Sequence, residues 1–251
     1  MTPLGATLAQ FRYDQASAIT LPVSEQFGPT LQGEGPHAGR AVQFLRLGGC
    51  NLSCSWCDTP YTWDGKRYDL RAELTPTAAG EIAARLIPGI PLVLSGGEPL
   101  LHQDSKGLQH VLDRARHRGC EVHVETNGTI APVSQFRRRV DVFAVSPKMA
   151  HAGTHRGRQD AALHRDWAGL ARKNPDVFLK VVVRDRRDVV ETVRMADELG
   201  WPRAQVWVMP LGTTTEELLA RWPEIAAAAA ESRINASQRL HVLAWGDTKG
   251  T

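Results

Sequence analysis

Three of the four cysteines, Cys50, Cys54 and Cys57, fall within eight residues. Their spacing, Cys-x3-Cys-x2-Cys, decides what they can do together. Three thiolates on one short loop can hold three irons of a cubane [4Fe-4S] cluster and leave the fourth iron open to bind and activate something else. A structural zinc site is the plainer use of clustered cysteines, but zinc takes four protein ligands and no Cys or His pair at the usual spacing completes a set. The closest histidine, His37, lies in a Gly/Pro-rich stretch. A redox dithiol of Cys54 and Cys57 leaves Cys50 without a purpose. The clustering is also wrong for a disulfide framework. Cys120 stands alone before Glu121–Val124 and reads as a small buried core residue.

Other polar motifs recur after apolar runs. Arg46 sits within Phe44-Leu45-Arg46-Leu47, where an unpaired buried charge would be costly. Further along come Ser95-Gly96-Gly97-Glu98-Pro99, Thr126-Asn127-Gly128-Thr129, Ser146-Pro147-Lys148 and Met209-Pro210. Each has an ordinary explanation when taken singly. Glycines allow tight turns, a threonine before Pro60 can cap a turn, and Lys148 can be a solvated strand-end lysine.

The elements that must position these residues follow from the patterning. Candidate strands are Ala41–Leu47, Pro91–Leu94, Glu121–Glu125, Asp141–Val145, Val177–Val183 and Gln205–Val208. Several are nearly continuous in apolar residues, as suits parallel strands covered on both faces. Helices are expected near Pro76–Leu86, Lys106–Arg118, Val133–Arg138, Ala161–Lys173, Arg187–Leu199 and Thr215–Ser232, with Thr75 as an N-cap and Pro76 in the first helical position. Six such units make an incomplete (β/α)6 barrel over residues 41–212, in a single α/β domain spanning 1–251. Residues 1–20 read as an N-terminal extension and 239–246 as an extra C-terminal strand. In a parallel barrel the polar motifs, each following a strand, share the C-terminal rim where active sites are built.

Composition sets the class. The 251 residues are 42% hydrophobic, enough for a substantial core, and 30 basic against 27 acidic residues demand no polyanion such as a nucleic acid. No run is long enough to span a membrane and no signal pattern opens the chain, so a cytoplasmic protein is expected.

The Cys-x3-Cys-x2-Cys loop after a first strand, with Gly96-Gly97-Glu98-Pro99 after the second, resembles the radical S-adenosylmethionine (SAM) superfamily. A narrower resemblance adds Thr30-Leu31-Gln32-Gly33-Glu34-Gly35, Phe44-Leu45-Arg46-Leu47, Cys54-Ser55-Trp56-Cys57-Asp58-Thr59 with Tyr61-Thr62-Trp63, Glu125-Thr126-Asn127-Gly128-Thr129 and Ser146-Pro147-Lys148. In order and spacing these are similar to the 7-carboxy-7-deazaguanine synthase (QueE) family.

That resemblance implies a radical SAM barrel and the conversion of 6-carboxy-5,6,7,8-tetrahydropterin to 7-carboxy-7-deazaguanine with loss of ammonia, supported by a [4Fe-4S] cluster, SAM and Mg²⁺. It implies an electron donor such as flavodoxin or ferredoxin, and a homodimer. Position by position, Cys50, Cys54 and Cys57 would hold the cluster and Thr59 the Mg²⁺. Trp56, Asp58, Gly96, Gly97, Glu98, Gly128, Ser146, Pro147 and Lys148 would line SAM. Leu31, Gln32, Gly33, Arg46 and Thr126 would contact the pterin, with Arg46 on its carboxylate. The stretch His151–Arg158 has no match in the family pattern, and His241, in a closing segment that does resemble it, is a weak further candidate. Two other uses compete: activation of a glycyl radical enzyme by similar chemistry, and a non-catalytic iron–sulfur or zinc protein. The first leaves Leu31–Gly35 and Cys57-Asp58-Thr59 unexplained, and the second leaves the rim motifs without a purpose.

Overall fold

The computed structural model describes residues 14–155 and 162–251. Its frame is one nine-stranded sheet of β1 (Thr20–Leu31), β2 (Ala41–Leu47), β3 (Thr75–Ala78), β4 (Leu92–Gly96), β5 (Val122–Thr126), β6 (Val142–Val145), β7 (Val177–Val183), β8 (Val206–Pro210) and β9 (Asn235–Ala236), in the order β3-β1-β2-β4-β5-β6-β7-β8-β9. From β2 to β9 each neighbouring pair is parallel. Only β1 runs against its neighbours β2 and β3. The six strands expected from the sequence are thus β2, β4, β5, β6, β7 and β8, an incomplete (β/α)6 barrel.

Side-chain alternation assigns the two faces. Leu45, Leu47, Leu92, Leu94, Val122, Val124, Leu179, Val181, Val206 and Val208 point outward into one core. There they meet Leu108, Val111 and Leu112 of α3 (Lys106–His117), Val189 of α6 (Arg186–Leu199), and Ile225 and Ala228 of α7 (Thr215–Glu231). The helices start where side chains satisfy their first N–H groups: Ser105 accepts from Leu108 N, and Asp185 from Arg187 N and Asp188 N. On the inward face, Val142, Ala144, Phe178 and Trp207 fill the N-terminal end of the barrel. On β2, β4, β5 and β7 the residues that face the inside of the barrel include the polar Arg46, Ser95, Glu125 and Lys180. Shorter helices include α1 (Leu70–Glu73), α2 (Ala79–Ala84), α4 (Ser134–Arg137), α5 (Asp166–Ala171) and α8 (Leu240–Trp245).

Two expectations are corrected. Thr75–Ala78 is not the start of a helix but edge strand β3, paired with Thr20–Val23; Pro76 is tolerated because an edge strand can spare an N–H, and the helix begins at Ala79. Residues 239–246 do not form a strand. Leu240–Trp245 is helix α8, and the sheet is extended instead by β9. The chain turns at Arg239 because its guanidinium is drawn into the barrel, as described below. Of the expected N-terminal extension, residues 1–13 lie outside the described residues, as do residues 156–158 of the unmatched stretch.

The two sheet edges, β3 and β9, do not pair with each other. The gap is bridged by single hydrogen bonds between the β1–β2 connection and the segment after β9. Gly35 N donates to Ser237 Oγ at 2.9 Å and Leu240 N to Gly33 O at 2.9 Å.

Candidate active site

The polar ends of the barrel strands open into a cavity of about 380 Å³. The cysteine loop forms one wall, with Cys54 buried and Cys50 and Cys57 half-buried. Two N–H groups already point at sulfur: Leu52 N donates to Cys50 Sγ and Trp63 Nε1 to Cys57 Sγ, each at 3.4 Å. Thr59 Oγ1 lies 3.7 Å from Cys57 Sγ. Burial pushes the Cys50 thiol up to about 12 and raises Cys54 as well, so a metal binding here must displace protons.

The loop is fastened from beneath by the end of β4. Gly97 N donates to Leu47 O at 3.0 Å and Glu98 N to Gly49 O at 2.8 Å. A Cβ at Gly96 would sit 2.1 Å from Leu47 O, and one at Gly97 2.2 Å from Gly49 O. Only glycine permits this crossing. From the other side, Ser55 N donates to Ala152 O at 2.9 Å and Ser53 N to His155 Nδ1 at 3.1 Å, so residues 152–155, within the described part of the unmatched stretch after β6, pack on the cysteine loop.

The same cavity is lined by a chain of ion pairs. Lys180 Nζ, buried in mid-β7, reaches Glu34 Oε2 at 2.6 Å and Glu125 Oε1 at 2.8 Å. Glu125 also accepts from Gln32 Nε2 at 3.3 Å and Ser95 Oγ at 3.1 Å. Arg239 bonds Glu34 Oε1 through Nε (2.8 Å), Gly212 O through Nη1 (2.7 Å) and Asp58 Oδ2 through Nη2 (2.6 Å). Burial works to raise the Glu34 carboxyl, but Lys180 and Arg239 outweigh it and hold the group well below the usual range. Asp58 and Glu125 are likewise lowered, burial being overcome by Arg239 for the first and by Lys180 for the second. Arg46 Nε pairs with Glu25 Oε2 at 2.6 Å, and Tyr61 donates to the same oxygen at 2.8 Å. That pair engages Nε and not the two Nη nitrogens.

A model of the Radical SAM superfamily matches residues 45–220. The chain is 33% identical over 221 residues to the 7-carboxy-7-deazaguanine synthase of Pyrobaculum aerophilum, a match covering 88% of this chain and 93% of that one. It is 34% identical over 236 residues to the enzyme of that name from Hyperthermus butylicus, covering 92% and 96%. The chain belongs to the 7-carboxy-7-deazaguanine synthase family. Its fold also matches the crystal structure of QueE from Escherichia coli, with a TM-score of 0.62 at 20% identity over 90% of this chain and 97% of that one. Family membership implies a four-iron cluster and SAM, and the residues matched by the superfamily model include the cysteine loop.

Most residues singled out from the family resemblance share the cavity wall: Leu31, Gln32, Gly33, Arg46, Cys50, Cys54, Trp56, Cys57, Asp58, Thr59, Gly96, Gly97, Thr126, Ser146 and Lys148. Glu98, Gly128 and Pro147 do not. Glu98 is 1% exposed, with its carboxylate taken up by Leu100 N, Thr126 Oγ1 and Asn127 N; burial raises its carboxyl against those bonds. Gly128 is packed under Leu163 and Val145. Glu25, Tyr61, Glu125, Lys180 and Arg239 had no role assigned from the family sequence pattern yet line the cavity, as does His241. The missed signal was Lys180, a charge in the middle of a seven-residue apolar run.

The wall fits a cluster and SAM on its own chemistry. Three soft sulfur donors share one loop, with N–H groups at two of them. Beside them the buried Trp56 Nε1 has no partner among the described residues, Lys148 Nζ lies 5.5 Å from the Trp56 ring centre, and Lys148 donates to Ser146 Oγ at 3.0 Å. An unused N–H, a cation and a hydroxyl together suit the polar end of an amino-acid ligand.

Proposed function

We propose that this chain catalyses the radical ring contraction of 6-carboxy-5,6,7,8-tetrahydropterin to 7-carboxy-7-deazaguanine with release of ammonia. The observation that carries this reading is the convergence, on one cavity, of three cysteine thiols with Arg46, Gln32, Glu125 and Lys180, in a chain of this family. When bound, a reduced [4Fe-4S] cluster and SAM supply reductive cleavage of SAM to a hydrogen-abstracting radical.

The chain's own residues bind, orient and exclude water. Cys50, Cys54 and Cys57 hold the cluster, while Trp56, Asp58, Gly96, Gly97, Ser146 and Lys148 adjoin SAM. Arg46, held through Nε by Glu25, offers its Nη edge to the substrate carboxylate. The Gln32 amide is fixed by Glu34 N and Glu125, which leaves one N–H and one lone pair for the heterocycle edge, with Leu31 and Gly33 alongside. Thr126 gives its hydroxyl proton to Glu98 and accepts from Gly128 N, so it meets the substrate as an acceptor. Glu98 acts through Thr126 and Asn127, and Gly128 and Pro147 shape the strand ends behind the SAM wall. Thr59 offers Mg²⁺ a single hydroxyl oxygen, as suits an ion that keeps waters and borrows substrate oxygens. A small one-electron donor such as flavodoxin or ferredoxin, and a homodimeric assembly, complete the proposal.

The test is an anaerobic assay. The reconstituted chain, given the carboxytetrahydropterin, SAM, Mg²⁺ and a reductant, is expected to carry about four irons per chain and to yield the deazaguanine acid and ammonia. Cys54→Ala should abolish both SAM cleavage and product. SAM cleavage by the native chain without the deazaguanine acid would leave the superfamily standing and overturn this substrate.

A further inference from the structure

The barrel is open between its two edges, and the site is built from loops on both sides of that opening. Asp58 follows the cluster ligand Cys57 directly, and Glu34 follows Gln32-Gly33. Both loops lie on the β1–β2 side of the opening, and among the described residues no backbone hydrogen bond joins one to the other. Instead the three donor positions of one guanidinium each take a different partner: Nε takes Glu34, Nη2 takes Asp58, and Nη1 takes Gly212 O beyond β8. Arg239 is itself tethered at the seam, because the next residue, Leu240, donates its N–H to Gly33 O. The side chain is 9% exposed, so these bonds are made largely out of water, where each is stronger and its loss more costly.

We infer that Arg239 is a positioning residue that reaches across the open seam of the barrel and locks the SAM-side loop and the pterin-side loop to each other. The inference rests on the substrate proposed above. Its chemical content is relative placement: a radical formed on one side must meet a hydrogen atom held on the other, and reactivity falls steeply with small misplacements. A planar fork that serves three segments at once is specific to arginine. Lysine is a point charge on a flexible stem and cannot hold the same three partners in fixed directions. Lys180 continues the lock inward from Glu34 to Glu125, so the pterin-side acceptors are tied to the same anchor.

The experiment compares the full native chain with Arg239→Lys and Arg239→Met, each with its cluster reconstituted anaerobically. The first measurement is equilibrium binding of SAM and of the carboxytetrahydropterin to the unreduced proteins, each with and without the other ligand. The second is the amount of 5′-deoxyadenosine formed per deazaguanine acid formed. Both variants are expected to raise the 5′-deoxyadenosine to product ratio, and to weaken the effect of one ligand on the other's Kd, by about tenfold or more, the size of an ordinary coupling between two sites. A merely structural role would lower SAM cleavage and product together and leave the ratio unchanged; that outcome, or unaltered mutual binding, overturns the lock. If Arg239→Met fails to fold, Arg239→Lys, which keeps the charge, decides. Native chain that forms no deazaguanine acid would defeat the proposed substrate, and the lock would then be read from mutual binding alone.

Discussion

A charged residue inside an apolar strand is the smallest unit at which this site declares itself. Arg46 could be read that way, because Phe44, Leu45 and Leu47 leave a cation no inexpensive place. The same argument applies to Lys180, yet Val177–Val183 reads first as a strand covered on both faces, which it is: all seven residues are buried. What the pattern does not carry is the partners. Glu34 and Arg239 lie 205 positions apart in the chain and meet only after the seam has formed. Replacing Lys180 by Met should leave Glu125 as a buried carboxylate without its cation, and Glu34 with Arg239 alone, and lower unfolding free energy by about 3–5 kcal/mol, measured by denaturant titration. Arg46→Ala, by contrast, should raise KM for the pterin by about 10–100-fold, the worth of a hydrogen bond to a charged group. SAM affinity should be unchanged, which steady-state kinetics and a separate SAM titration will check.

The parts that hold those residues are short and fixed by close approach. The end of β4 runs beneath the cysteine loop at a distance only glycine allows, so the Gly96-Gly97 pair has a packing reason as well as a place on the cavity wall. Gly97→Ala would set a methyl against Gly49 O, next to Cys50, and push the loop away. We expect the fold to persist, as judged by circular dichroism, while iron retained after anaerobic reconstitution and gel filtration falls by half or more. Two elements were illegible for physical reasons. Thr75-Pro76 carries a strong helix-start signal, but pairing with Thr20–Val23 at the sheet edge overrides it. The alternation in Leu240–Trp245 resembles a strand, yet its start is set by the inward pull on Arg239, a tertiary effect with no local signature.

For the molecule as a whole, the six-strand order was legible because each parallel strand carries its own apolar run. The closure was not, because it depends on side chains rather than strand pairing. That difference has a pH signature. Glu34, Asp58 and Glu125 all have lowered folded-state values. Their contribution is therefore fully present above the ordinary carboxylate range and is lost as pH falls through the lowered values. The thermal midpoint should hold from neutrality down to about pH 5 and fall on further acidification below about pH 4. Glu34→Gln should start lower and decline less, as scanning calorimetry across that range will show. Five carboxylate and five cationic side chains line the cavity, so its mouth projects little net field into solution. The proposed pterin substrate should then be admitted on contact and not drawn from afar. Its association rate should stay nearly constant as ionic strength is raised, unlike that of a ligand steered by a charged funnel.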